Sequence, residues 1–182
     1  MQKKAIKPYT QEDLESFVSG IIEINGIINT TNPDILFAPM MGTVPLIDCL
    51  NASDPHFENS RVYYIPASSS LASLNNILPQ TAANLLFGEF HSIPERGLKI
   101  LSLDEVVSGS SAVRIRDKIS DGIQRYTSKL SLTEEEAKRI RFYQIGLEHG
   151  MYRESGKEWN ENLKRMIESE KIQIVRVNRI IP

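Results

Sequence analysis

Residues 99–112, reading KILSLDEVVSGSSA, set an apolar run, two acids, a turn of small hydroxyl residues and a helix start in immediate succession. The order has chemical consequences. Backbone N–H groups and hydroxyls of Ser108, Gly109, Ser110 and Ser111 can bind a phosphate, and a helix N-terminus adds favourable partial charge. The carboxylates of Asp104 and Glu105, carried at the carboxyl end of a strand, can accept hydrogen bonds from sugar hydroxyls or help organise a hydrated Mg²⁺. The chemistry expected of this segment is the holding of a phosphorylated sugar. Each part has an ordinary reading too: acids are common near helix starts, and Ser-Gly-Ser-Ser makes a serviceable turn and N-cap. Their succession behind a buried strand is what points to a ligand.

Those residues need a scaffold, and the chain offers one. Thr10 is expected to cap a first helix on which Leu14, Phe17, Val18, Ile21, Ile22 and Ile28 recur at helical spacing. Asn32-Pro33-Asp34 ends it, and residues 35–38 read as a short buried strand. A tight segment over 39–45 follows, then a helix through Leu50 and a strand over 61–65. Residues 66–97 show little periodicity and read as a long irregular stretch, which in a compact domain is more often functional than accidental. Residues 99–103 form the expected central strand. The next helix carries Ile115, Ile119, Ile123, Tyr126 and Leu130 on one face. Thr133 with Glu136 and Ser155 with Glu158 are capping-box signatures, and residues 141–147 and 172–177 read as strands. Alternating strands and helices predict an α/β fold: a mostly parallel central sheet with helices on both faces. Ligands of such sheets bind beyond the carboxyl ends of the strands.

The 182 residues are expected to form one domain. A net charge of −2 argues against a general nucleic-acid-binding face. No apolar run approaches the roughly 20 residues that span a bilayer, and the N-terminus lacks a signal-peptide core. The single cysteine, Cys49, sits in the apolar stretch VPLIDCL and reads as a buried structural thiol. It rules out an intrachain disulfide and fits a reducing compartment, so a cytoplasmic location is expected. Three scattered histidines give no zinc spacing. His91 could be a proton donor but reads better as a surface residue. Glu148-His149-Gly150, at a strand end, could line a pocket or simply form a turn.

Residues 104–111 resemble the phosphoribosyl pyrophosphate loop of type I phosphoribosyltransferases. Anchored on Gly109, Ser108 and Ser111 fall on the family's two hydroxyl positions, and Val106 and Val107 on the middle of the motif. Asp104 falls on the second acid, Leu103 on the first, and Glu105 on an aliphatic position, so the acidic pair stands one residue closer to the glycine. A second segment, APMMGTVPL over 38–46, is similar to the family's pyrophosphate loop. Aligned on Val44-Pro45, Gly42 and Thr43 take the two glycine positions and Met41 that of an arginine. The cation missing there would come from Mg²⁺ or from Arg61, Arg96 or Lys99.

The resemblance covers about residues 34–130. It implies a phosphoribosyltransferase-like domain with a mobile loop at 66–97 and a C-terminal hood over about 146–182. Implied ligands are phosphoribosyl pyrophosphate or a nucleoside 5′-monophosphate, with Mg²⁺. Asp104 and Glu105 would be catalytic or metal-binding. Ser108, Gly109, Ser110 and Ser111 would hold the 5′-phosphate, and Met41, Gly42 and Thr43 the pyrophosphate. The implied reaction is displacement of pyrophosphate at the ribose anomeric carbon by a nitrogen nucleophile, in a homodimer. Two alternatives keep the fold: a non-catalytic nucleotide sensor or partner-binding effector subunit, and a nucleotide or nucleoside hydrolase.

Overall fold

A computed structural model describes residues 8–67, 72–106, 109–150 and 158–180. Helix α1 (Gln11–Thr31) starts at Thr10, whose side chain accepts from the Asp13 amide while the Asp13 side chain accepts from the Thr10 amide. This reciprocal cap satisfies two donors that the first helical turn leaves open. Asn32, in the left-handed region at φ 44°, ends the helix. Its inner face, Phe17, Ile21, Ile24 and Ile28, is buried, whereas Leu14, Val18 and Ile22 are exposed. The six apolar positions that recur at helical spacing therefore divide between a buried and an exposed face.

Strands β1 (Ile35–Pro39), β2 (Val62–Ile65), β3 (Leu98–Val106), β4 (Ile140–His149) and β5 (Gln173–Val177) form one parallel sheet in the order β2-β1-β3-β4-β5. All five residues of β1 are buried, as expected of a parallel strand covered on both faces. Helices α1 and α2 (Met40–Ser53) pack one face through Leu36, Ala38, Leu101, Leu103, Ile145 and Leu147. The other face, with Ile35, Phe37, Leu98 and Ile100, receives α3 (Ala72–Glu89) and α4 (Ser110–Lys129). The short α5 (Glu134–Ala137) leads into β4, and α6 (Glu161–Glu168) covers Val106 and Ile172 beside α4. The chain leaves β1 toward β2 and then returns to the other side of β1 for β3. That reversal is a topological switch point, where such sheets hold their ligands.

One expectation is corrected. Residues 72–89 are a helix, not an irregular mobile loop. Leu78, Ala82 and Leu86 recur four residues apart and are buried, so burial of that stripe against the sheet and α4 outweighs the internal Pro79. Within the expected hood, residues 146–149 complete β4, Glu161–Glu168 form α6 and Gln173–Val177 form β5. The Ser155–Glu158 capping box falls on Ser155, which lies outside the described residues; α6 is capped by Asn160. Among the described residues, no helix is long and apolar enough to cross a membrane.

Helix α3 crosses α4 at Gly122, where a Cβ would stand 2.7 Å from Ala82 Cβ and 2.8 Å from the Pro79 carbonyl oxygen. A backbone carbonyl cannot yield as a side-chain tip can. Gly122→Val should cost about 2–3 kcal/mol by overpacking, read as a lower denaturant midpoint with an unchanged slope.

Candidate functional site

The site is built where β1 and β3 end. The two strands are in register at Phe37 and Ser102, so continuing the ladder sets Pro39 level with Asp104. Helix α2 begins at Met40, directly after Pro39, and has no side-chain cap. Helix α4 begins at Ser110 behind Gly109, again with no side-chain cap. Helices α1, α5 and α6 are each capped by Thr10, Thr133 or Asn160. The first amides of α2 and α4 have no intrahelical acceptor, and neither N-cap residue, Pro39 or Gly109, supplies a side-chain cap at the two N-termini that flank the switch point.

Met41, Gly42 and Thr43 lie within the first turn of α2 rather than in a loop before it. Thr43 is fully buried, and its hydroxyl donates back to the Pro39 carbonyl at 2.5 Å. The amides of Met40, Met41 and Gly42 are the groups this turn can offer a ligand.

Asp104 and Glu105 belong to β3, which continues through Val106 in register with β4; the strand does not stop at Leu103. Successive strand side chains point to opposite faces. Asp104 therefore shares the α3/α4 side with Ile100 and Ser102, while Glu105 shares the α1/α2 side with Leu101 and Leu103. The two carboxyls do not form a two-armed clamp. Among the described residues, no group of three or more His, Cys, Asp or Glu gathers around a point that could hold a metal ion.

Asp104 is 7% exposed, and its Oδ2 has no hydrogen-bond partner. Burial, reinforced by the charge of Glu105 and partly offset by a backbone hydrogen bond at Glu105, pushes its carboxyl up to about 7. Burial also raises Glu105. On the Asp104 side, Ser102 and Gln144 face each other across the β3–β4 ladder. Gln144 donates to the Ala112 carbonyl in the first turn of α4 at 3.1 Å, while its Oε1 and the Ser102 Oγ have no partner. Three buried polar atoms with unspent hydrogen-bonding capacity thus lie on adjacent strands beneath the start of α4.

Of the phosphate-binding residues expected from the sequence, Ser108 lies outside the described residues. Gly109 has φ +82° and is buried against α6: a Cβ there would meet Leu163, 2.8 Å from its Cβ and 2.9 Å from its Cγ. Asn160 Nδ2 donates to Ser110 Oγ at 3.1 Å, and Asn160 Oδ1 accepts from the Leu163 amide at 2.8 Å. The N-terminus of α6 is therefore latched onto the N-terminus of α4. Ser111, half-buried in the first turn, is the nearest position that this latch leaves out.

The cations considered for a diphosphate lie at the far end of the sheet. Arg61 donates to Asn32 Oδ1 and the Pro33 carbonyl, Arg96 pairs with Asp34, and Lys99 donates to the Thr31 carbonyl. Lys99 and Asp104 are five strand residues apart, roughly 16 Å along β3. His91 sits beyond α3 at that same far end, edge-on to Phe87. A guanidinium near the carboxyl end belongs to Arg176 on β5, 3.2 Å from the buried Glu148 of β4. Sequence alone carries no local signal for it, because the pair is 28 residues apart and meets through strand pairing.

No protein-family model matches the chain, and no curated protein matches it.

Proposed function

We propose that this chain binds a phosphorylated ribose, phosphoribosyl pyrophosphate or a nucleoside 5′-monophosphate, at the switch point between β1 and β3. The observation that carries this reading is the buried carboxyl of Asp104, its Oδ2 unpartnered, beside two helix N-termini without side-chain caps. Residues Ser108 to Ser111 would hold the 5′-phosphate, with amides at the start of α4 as donors. Asp104 would accept from the ribose hydroxyls. The amides of Met41 and Gly42 would approach the diphosphate. If phosphoribosyl is transferred, a nitrogen nucleophile displaces pyrophosphate at the anomeric carbon, and positioning and electrostatics carry the rate. Mg²⁺ belongs to this proposal as the ion that accompanies a diphosphate. With Asp104 and Glu105 on opposite faces, phosphate oxygens and water would supply most of its ligands. The family resemblance also carries a homodimer, read by light scattering.

A second reading, a nucleotide-sensing or partner-binding effector, is favoured by one observation. The cations considered for the leaving group brace the opposite edge of the sheet. A sensor needs only differential affinity between conformations, not stabilisation of a departing diphosphate.

Isothermal titration with phosphoribosyl pyrophosphate and Mg²⁺, with nucleoside monophosphates alongside, tests the binding. Ser111→Glu separates binding from folding: an acid in the first turn suits the helix dipole but repels a phosphate. Micromolar binding by the parent, weakened about tenfold or more in Ser111→Glu with no fall in melting temperature, supports the reading. Equal affinity in the variant, or no binding of any of these ligands, overturns it. Pyrophosphate release in the presence of candidate bases divides transferase from sensor.

A further inference from the structure

We infer that the outer face of α1 and α2 is a docking surface for a basic amphipathic helix of a partner protein. The inference does not rest on the phosphoribose reading, since Asp104 lies on the opposite side of the sheet. Leu14, Val18 and Ile22 are 43%, 46% and 61% exposed. They follow one another at one-turn intervals, so they form a single ridge along α1. Asn25 and Asn29, one and two turns further on, reach the Leu50 carbonyl, Ser53 and Asp54. The ridge therefore runs up the side of α1 that faces α2. On α2 itself Val44 is exposed, and so is Tyr64 on the edge strand β2. Burial and the nearby charge of Asp48 hold the Tyr64 hydroxyl above its ordinary pKa, as expected of a side chain set beside α2. Exposed apolar residues scattered singly are ordinary; a ridge with apolar neighbours on the adjoining helix and strand marks an interaction surface.

Charge names the occupant. Helices α1 and α2 carry Glu12, Asp13, Glu15, Glu23 and Asp48 and neither Lys nor Arg. Asp13 is taken up by the Thr10 cap and by Arg179, 3.7 Å away. Glu12 suits the helix dipole, but Glu15 and Glu23 lie beyond the first turn, where that benefit fades. Among the described residues, no Lys or Arg pairs with Glu12, Glu15, Glu23 or Asp48. Arg61 and Lys99, at the far end of the layer, are engaged by Glu58 and the Thr31 carbonyl. An apolar ridge rimmed by acids matches a helix whose apolar stripe is rimmed by Lys and Arg. Shape agrees, because side chains four residues apart form a ridge that seats in the groove of a second helix. A second copy of the chain fits worse. Through the same face it would set acids against acids. Through the basic α4 it would set the ridge against a helix whose exposed positions are all polar.

The test uses the full-length protein and a labelled synthetic helix of Leu and Lys, about five turns long, with its leucines on one face. Two controls accompany it: the same helix with Glu in place of Lys, and a peptide of equal composition with its leucines scattered around the helix. Fluorescence anisotropy should show saturable binding of the basic amphipathic helix, at least tenfold tighter than either control and weaker as salt is raised. Val18→Lys combined with Ile22→Lys, both at exposed positions, should weaken it at least tenfold at an unchanged melting temperature. Ile77→Lys, exposed on α3 at the other side of the sheet, should leave it unchanged. The comparison of the three peptides on the parent stands whatever a variant's stability. The surface is refuted if the basic helix does not saturate, if either control matches it, if the folded double variant binds it equally well, or if Ile77→Lys weakens it as much. A dimer in sedimentation that the double variant dissociates would give the face to a second copy, and would refute the proposal too.

Discussion

Asp104→Asn is expected to stabilise the protein at pH 8 and to leave it nearly unchanged near pH 4. The parent's carboxyl is pushed up to about 7 by burial, against an ordinary value of 3.8. Between those two values the folded protein holds a proton that the unfolded chain has released. Stability therefore falls as pH rises through this window and levels off above about 7. A difference of about three pKa units corresponds to roughly 4 kcal/mol at about 1.4 kcal/mol per unit. Asn has the shape of the protonated acid and no charge to bury, so its profile should lack this slope. Asp13, Asp54, Glu136 and Glu161 are held below their usual range by surface hydrogen bonds and charges. Their opposite trend is common to both proteins and cancels in the difference. Denaturant unfolding of parent and variant at pH 4, 6 and 8 reads the effect, and parallel profiles would refute it.

A residue that weakens the fold at neutral pH is a poor structural choice, and its place at a switch point fits the proposed ligand role. On the phosphoribose proposal, ribose hydroxyls donate to the carboxylate and lower its pKa, so binding near pH 6.5 releases a proton. Calorimetry in two buffers of different ionisation enthalpy should show the release, and Asp104→Asn should abolish it along with most of the affinity. Stability and binding would then move in opposite directions in one variant.

The elements readable in the sequence were those whose determinants are local. The Thr10–Asp13 and Thr133–Glu136 caps are written within four residues, and the strands at 35–39, 62–65 and 173–177 stand out as apolar runs between turn residues. Long-range pairing decided the rest. Both α2 and α3 carry an internal proline, Pro45 and Pro79, which locally reads as a stop. Each helix persists because its apolar stripe is buried against the sheet. The end of β3 is set by β4, whose ladder runs on to Val106 and Glu148 and so sends Asp104 and Glu105 to opposite faces. Arg61, Arg96 and Lys99 stand near strand starts, and only the all-parallel topology puts every strand start at the edge away from the site. The exposure of Leu14, Val18 and Ile22 is equally unreadable, because their spacing matches that of buried residues.

Gly109→Val should be strongly destabilising whether or not a phosphate ever binds. Valine must adopt φ +82°, a region that costs a non-glycine residue about 1–2 kcal/mol and a β-branched one more. Its Cβ also enters the space of Leu163, and overpacking typically adds about 1–3 kcal/mol. Loss of nucleotide affinity in this variant would therefore not by itself identify a phosphate cradle, since the α4–α6 latch would be broken as well. A double-mutant cycle with Leu163→Ala separates the two costs. Leu163→Ala alone leaves a cavity among Val106, Ala112 and Ile172 and should cost about 2–5 kcal/mol. Combined with Gly109→Val, the alanine vacates the volume that valine fills, so the double variant should lose about 1–3 kcal/mol less than the sum of the singles. Strict additivity by denaturant unfolding would mean that backbone strain alone fixes the glycine. Favourable coupling would establish α6 as the element that sets the shape of the loop on which the proposed phosphate site depends.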